Sequence, residues 1–323
     1  MHQHLAAGWP RFSAPDTGAT GAAAGPVRFA MIGDYGKQNG DFADEGKVPE
    51  FVKSWDPDFI VTLGDNAYSD HNDHQNAFQV DALDFYGDYI KSSAEDPKGE
   101  ATRFFPALGN HDYHAAGSGV FPARVKAYEA AFAVPEGPGG HQFYELARGP
   151  VRFFVLDSNT APKEKLYKIG SAQETWFRER LAAATEPWKL AVFHHSPYQS
   201  STKNQDEIHM RKWKFEDTNL TAVIAGHSHI YERVMKGAFP FFTNGLGGNA
   251  IYPFQSPRIK GSEVSYGQKA PGEADPPKFR RGAIFGEATP TTFTLEFWNA
   301  SGRRIDHWPA TAPDLTKTPV GVA

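Results

Sequence analysis

Apolar residues gather along the chain in short runs, several of which end abruptly in a glycine and a polar cluster. Phe59-Ile60-Val61-Thr62-Leu63 is preceded by Asp-Pro and followed by Gly64-Asp65-Asn66-Ala67-Tyr68. That is the pattern of a short buried strand closing in a polar turn. Val27 to Ile32 repeats it and is closed by Gly33-Asp34-Tyr35-Gly36. Between the two runs, Val48, Phe51, Val52 and Trp55 recur at i, i+3, i+4 and i+7, which predicts a helix with Pro49 tolerated in its first turn. Strand, helix, strand without a hairpin signal predicts parallel pairing, so Asp34 and Asp65 emerge at one edge of one sheet. Two carboxylates side by side repel unless a cation sits between them.

The same reading continues along the chain. Asp70, His71, Asp73 and His74 form a solvated polar loop, and a helix is predicted from Phe78 to Ile90 with Ala82, Phe85, Tyr86 and Tyr89 on its apolar side. Arg103 to Leu108 is a strand running into Gly109-Asn110-His111-Asp112. Gln142 to Ala147 and Val151 to Leu156 read as a hairpin, and Ser171-Ala172-Gln173-Glu174 is a capping box opening a helix that carries Trp176, Phe177, Leu181 and Ala184. Trp188 to Phe193 is a buried strand ending in His194-His195-Ser196-Pro197. Adjacent histidines on a strand point to opposite faces, so a regular geometry allows one of them to be a ligand, and His195 is chosen. A short helix is expected from Met210 to Phe215, then a strand from Leu220 to Ala225 that ends in Gly226-His227-Ser228-His229. Further strands are predicted at 239–243, 282–285, 292–298 and 303–308. The polar stretch 256–281, with its repeated Gly and Pro, is expected to be an unstructured lid or binding loop. One domain is predicted over 27–310, between a flexible Ala-, Gly- and Pro-rich leader at 1–26 and a tail at 311–323.

Composition narrows the function. A net charge of −5 argues against a nucleic-acid surface or an anionic membrane as partner. An anionic substrate must then be drawn by something other than excess Lys and Arg, and metal ions meet that need. The absence of cysteine excludes disulfides, thiolate nucleophiles and Cys-ligated metal sites. No apolar stretch reaches membrane-spanning length, and the leader lacks a continuous apolar core from which export is readable.

Ligand-type side chains thus collect just past the ends of predicted strands: Asp34, Asp65, Tyr68, Asn110, His195, His227 and His229. In an α/β domain this is the edge where ligands gather. The blocks GDYG, GDNAY, GNHD, VFHH and GHSH, in this order, resemble those of the metallophosphoesterase (calcineurin-like) superfamily. The tyrosine of GDNAY, with Gly36 where most branches carry a histidine, is similar to the purple acid phosphatase branch. Tyr231-Glu232-Arg233 and Asn244-Gly245-Leu246-Gly247-Gly248 strengthen the match, which covers about residues 27–310.

The resemblance implies an α/β fold: a four-layer αββα sandwich of two mixed sheets flanked by helices, with metals at the C-terminal strand edges. It also implies two metal ions. Asp34, Asp65, Tyr68 and His229 would hold the first; Asp65, Asn110, His195 and His227 would hold the second, with Asp65 shared. Two carboxylates and a phenolate favour Fe(III), while the mostly neutral second set suits Zn(II), Fe(II) or Mn(II). Tyr68 must lose a proton with an unperturbed pKa of about 10, which calls for a strong Lewis acid. The expected activity is hydrolysis of small phosphomonoesters by in-line attack of a metal-activated hydroxide. His111 is expected to protonate the leaving group. His209, His114 and Arg233 are substrate-pocket candidates, Arg233 with the alternative of pairing with an acid, and Asp112 is expected to orient an imidazole. Two alternatives stand beside this reading: a phosphodiesterase on the same centre, and a metal-binding protein without catalysis.

Overall fold

The computed structural model describes residues 25–35, 47–68, 77–113, 121–135, 137–160, 165–205, 208–268 and 280–310. Gly36, the loop from Asp70 to His74, His114, residues 1–24, residues 269–279 and the 311–323 tail lie outside the described residues.

The apolar runs become the strands of two mixed sheets. The first contains β1 (Val27–Ile32), β2 (Phe59–Thr62), β3 (Phe104–Pro106), β11 (Gly282–Ala288), β12 (Phe293–Asn299) and β13 (Arg304–Ala310), in the order β13-β12-β11-β1-β2-β3. The second contains β4 (Tyr144–Arg148), β5 (Val151–Val155), β6 (Trp188–His195), β7 (Ala222–Gly226), β8 (Tyr231–Lys236), β9 (Phe239–Asn244) and β10 (Ser262–Tyr266), in the order β10-β8-β9-β7-β6-β5-β4. β1, β2 and β3 are mutually parallel, as are β5, β6, β7 and β9. The helix Lys47–Ser54 makes the predicted crossover from β1 to β2, and Trp55 just beyond it packs edge-on to Phe285 at 3.9 Å between ring centroids.

Alternation along each strand divides its side chains between layers. Phe29, Phe59 and Phe153 meet between the sheets, the Phe153 ring lying edge-on to the other two at 5.1 and 5.6 Å. Trp188, Leu190 and Val192 of β6 join this shared core, whereas Ala191 and Phe193 pack into a second cluster with Phe177 and Leu181 of the helix Ala172–Ala183. Ser171 caps that helix, its hydroxyl accepting from the Glu174 amide at 3.1 Å. The return bond of the capping box is displaced by one residue: the Glu174 carboxylate accepts from Gly170 rather than Ser171.

Among the described residues the structure departs from the expected elements in four places. The helix expected from Phe78 to Ile90 contains a π-helical turn, Gln79–Leu83, followed by the short α-turn Asp84–Tyr86. The helix Phe121–Ala131 lies where none was expected. β8 was not expected as a strand, and β10 crosses the stretch expected to be an unstructured lid. β10 pairs antiparallel with β8 at the sheet edge. Its Ser-Glu-Val-Ser-Tyr sequence buries only Tyr266, so its apolar alternation is faint. Among the described residues no helix is long and apolar enough to cross a membrane.

Candidate metal centre

β1, β2 and β3 of one sheet and β6 and β7 of the other deliver their polar clusters to a common edge. Asp34, Asp65 and His227 each follow a glycine and each adopt a left-handed backbone, with φ of 57°, 54° and 68°. Non-glycine residues are uncommon in that region, and it ends a strand within one residue. The preceding glycines permit close approach between loops. A Cβ on Gly226 would lie 2.7 Å from Asp34 Oδ2, and one on Gly64 would lie 2.6 Å from His194 Nδ1. With no side chain in the way, the His227 amide donates to Asp34 Oδ2 at 2.8 Å and joins the two sheets.

Two groups of donor atoms result. In the first, Tyr68 Oη lies 3.0 Å from Asp34 Oδ1 and 3.2 Å from His229 Nε2, which is itself 3.2 Å from Asp34 Oδ1. In the second, His194 Nε2 lies 3.3 Å from Asp65 Oδ1, 3.0 Å from Asn110 Oδ1 and 3.1 Å from His227 Nδ1. Neighbouring ligands bound to one ion at about 2.1 Å are separated by about 3 Å, so both groups have the spacing of a coordination shell. Asp65 also acts on the first group, since its charge and hydrogen bonding contribute to the rise in the Tyr68 pKa.

The second group favours the other of the two adjacent histidines. β6 sends Trp188, Leu190 and Val192 toward the other sheet, and His194 continues that parity toward Asp65. A register irregularity between Phe193 and His195 sets the final turn. His194 Nδ1 donates to the Leu63 carbonyl at 2.8 Å, an acceptor only, so Nε2 is the nitrogen left to face the donor group. His229 is fixed likewise, Nδ1 donating to the Ala250 carbonyl at 2.7 Å. His195 instead places Nδ1 2.9 Å from Ser158 Oγ, with its ring 4.4 Å from that of His227 and 5.2 Å from that of His209. His194 therefore replaces His195 in the ligand set we propose.

The electrostatics call for positive charge. Burial would raise the Asp65 pKa, but His194, His111 and His227 outweigh it and hold the carboxyl well below its usual range. Burial likewise disfavours a charged His194, yet Asp65 and Asp34 push it up to about 10. Tyr68 is driven well above the ordinary phenol value by burial, Asp34 and Asp65, so it releases its proton only to a strongly charged cation. Oxygen donors, oriented imidazoles and this field together fit a metal-binding role.

The sequence profile of the Calcineurin-like phosphoesterase family matches residues 27–231, well over half of the chain. The chain belongs to this family. Its relatives lie in the purple acid phosphatase-like branch. It is 27% identical over 244 residues to the probable purple acid phosphatase 20 of Arabidopsis thaliana, covering 69% of this chain and 52% of that protein. It is 25% identical over 240 residues to the tartrate-resistant acid phosphatase type 5 of Rattus norvegicus, covering 64% of this chain and 68% of that one. The chain thus spans about half the length of the plant relative. Among solved structures, a purple acid phosphatase from yellow lupin (Lupinus luteus) seeds superposes with a TM-score of 0.64 at 16% identity, over 91% of this chain and 55% of that one. A Plasmodium protein described as the anchor in the inner membrane complex superposes with a TM-score of 0.58 at 17% identity, over 91% of both chains.

Other residues of this calcineurin-like phosphoesterase complete the edge. His111 lies in the one-turn helix Asn110–Tyr113, with its ring 4.4 Å from that of Tyr68. Asp112 hydrogen-bonds to no imidazole among the described residues. It accepts instead from the amides of Gly109, Asn66 and Ala67 and from Asn66 Nδ2, tying the two loops together. Burial and the neighbouring Asp65 push Asp112 up to about 7, against the donors that favour its ionised form. Arg233 pairs with Asp306 at 2.8 Å and Glu263 at 2.6 Å, which realises the acid-pairing alternative and removes it from the substrate-binding candidates. His209 donates to the Ser158 carbonyl at 2.6 Å and stays beside His195, while His114 lies outside the described residues.

Four buried residues near this edge were not singled out in the sequence. Asp157, Ser158 and Asn159 are buried directly after β5, which runs parallel to β6 and so delivers them to the same edge. The signal for them is an apolar run, Val151 to Leu156, ending in a polar cluster. Asp81, in the π-helical turn, accepts from the Tyr68 amide at 2.8 Å. A π turn cannot be read from apolar spacing alone.

Proposed function

We propose that this phosphoesterase is a dinuclear-metal phosphatase acting on small phosphomonoesters. What carries the reading is the pair of donor groups built around Asp34, Tyr68 and His229 and around Asn110, His194 and His227, with Asp65 reaching both. Fold similarity is not enough, because unrelated functions share folds. The first group, rich in charged oxygen, would hold a trivalent ion such as Fe(III); the second would hold Zn(II), Fe(II) or Mn(II). When bound, two such ions polarise a phosphate ester and supply hydroxide at accessible pH.

The chain's own residues do the rest. The Leu63 and Ala250 carbonyls hold His194 and His229 in the tautomer that presents Nε2. The His111 amide donates to Asp65 Oδ1 at 2.9 Å and so fixes the shared carboxylate. Among the described residues nothing hydrogen-bonds to the His111 imidazole, which is half-buried beside Tyr68 and free to give a proton to the leaving oxygen. His209 is the described candidate for contacting the rest of the substrate.

Metal-loaded protein should hydrolyse an aryl monophosphate faster than the corresponding bis-aryl phosphate by at least about tenfold, a difference of about 1.4 kcal/mol in barrier. The reverse order would assign the centre to diesters. A phenolate bound to ferric iron should also give a violet charge-transfer band, absent in Tyr68→Phe. An active protein that is colourless and free of iron would remove the Fe(III) assignment and leave the phosphatase reading in place.

A further inference from the structure

Arg124 stands on the helix Phe121–Ala131, is 0% exposed, and belongs to none of the donor groups. Its Nε donates to the carbonyl of His111 at 2.7 Å, and its Nη2 donates to the carbonyl of Ala67, also at 2.7 Å. The guanidinium carbon lies 5.7 Å from the centre of the Phe78 ring. Burying a guanidinium is costly unless its geometry is well used. A planar fork bridging acceptors that far apart in sequence is a task for arginine, since a lysine ammonium has no second arm at fixed geometry.

The consequence falls on His111. Its amide is held by Asp65 Oδ1 and its carbonyl by Arg124, so both peptide planes around its Cα are fixed. Among the described residues no hydrogen bond restrains the imidazole itself. The backbone on either side therefore fixes the direction in which the side chain leaves the chain, and the Tyr68 ring, 4.4 Å away between centroids, packs against the imidazole at its end. The second arm holds Ala67, the residue before Tyr68, whose amide is in turn fixed by Asp81. We propose that Arg124 is a positioning residue that aims the His111 imidazole along the edge that carries the donor groups and keeps it in register with the Tyr68 loop. The catalytic part of this proposal rests on the reading of His111 as proton donor; the geometric part does not.

The experiment compares Arg124→Lys and Arg124→Gln with the unmodified protein, each loaded with metal and assayed on phosphomonoesters of rising leaving-group pKa. Expected is a loss of kcat of about 10- to 100-fold in Arg124→Lys with KM nearly constant, larger for alkyl than for nitrophenyl esters. In a His111→Ala background the same substitution should cause no further leaving-group-dependent loss. A loss equal across all esters, or one that multiplies fully with that of His111→Ala, would overturn the proposal and leave Arg124 a purely structural residue. If His111→Ala itself shows no leaving-group dependence, the proton-donor reading fails. The crystal structure of Arg124→Lys then decides the geometric claim: a His111 ring displaced by about 1 Å or more supports it, and an unmoved ring overturns it.

Discussion

Alanine at His194 should empty the second donor group, while alanine at His195 should leave metal stoichiometry unchanged. His194 Nε2 is the atom against which Asp65, Asn110 and His227 are all measured within 3.3 Å. Removing it takes away a proposed ligand and also leaves the Leu63 carbonyl without its imidazole partner. Loss of an outer partner of a metal ligand typically weakens affinity 10- to 100-fold, so loss of a ligand should exceed about 100-fold. His195→Ala gives up a contact with Ser158 and ring packing against His227 and His209. Metal analysis after gel filtration, with titration of the second equivalent, reads both variants directly. If His195→Ala lost the metal and His194→Ala retained it, the ligand set would return to the one expected from the VFHH block.

Alanine at His111 should lower kcat on phosphomonoesters by about 10²- to 10⁴-fold, or about 2.7–5.4 kcal/mol of barrier, with KM nearly constant. The loss should grow with the basicity of the leaving group, because a good leaving group departs without a proton. Metal content should hold, since in this structure the His111 side chain is not in either donor group and only its amide touches Asp65. Steady-state kinetics over a series of esters is the measurement. A variant with unchanged kcat across the series would remove His111 from the reaction and point to solvent as the proton source.

Much of the sheet architecture is legible in the residues because each buried strand is an apolar run with a glycine or turn signal at its end. The crossover from β1 to β2 follows from the Val48, Phe51, Val52, Trp55 spacing, and parallel pairing follows from the crossover. What escaped reading has physical causes. β8 mixes Glu, Arg and Lys into its sequence, and partners from elsewhere in the fold satisfy the first two: Glu232 accepts from Ser200 and Ser262, and Arg233 pairs with Asp306. Tertiary partners of that kind leave no trace in local periodicity. β10 is an edge strand with one well-buried side chain.

At the site, the residue types and their strand-end placement could be read, but the choice within the adjacent pair could not. Strand alternation says that His194 and His195 face opposite ways; which face meets the carboxylates depends on how the second sheet packs on the first. Once Trp188, Leu190 and Val192 are known to face that interface, His194 follows by parity. The Arg233 alternative was likewise undecidable without Asp306, which lies 73 residues away in sequence. Asp112 carries a similar lesson, since its partners are backbone amides that no side-chain motif announces.

The donors divide by origin. Asp34, Asp65, Tyr68 and Asn110 follow β1, β2 and β3 of one sheet, and His194, His227 and His229 come from β6 and β7 of the other. Each proposed ion would therefore draw on both halves of the sandwich, acting as a rivet between them. Neither half alone offers a complete shell, so affinity for the ions and the docking of one sheet on the other become a single quantity. Whatever loosens the seam between the layers, even far from the edge, loosens the grip on the cations as well.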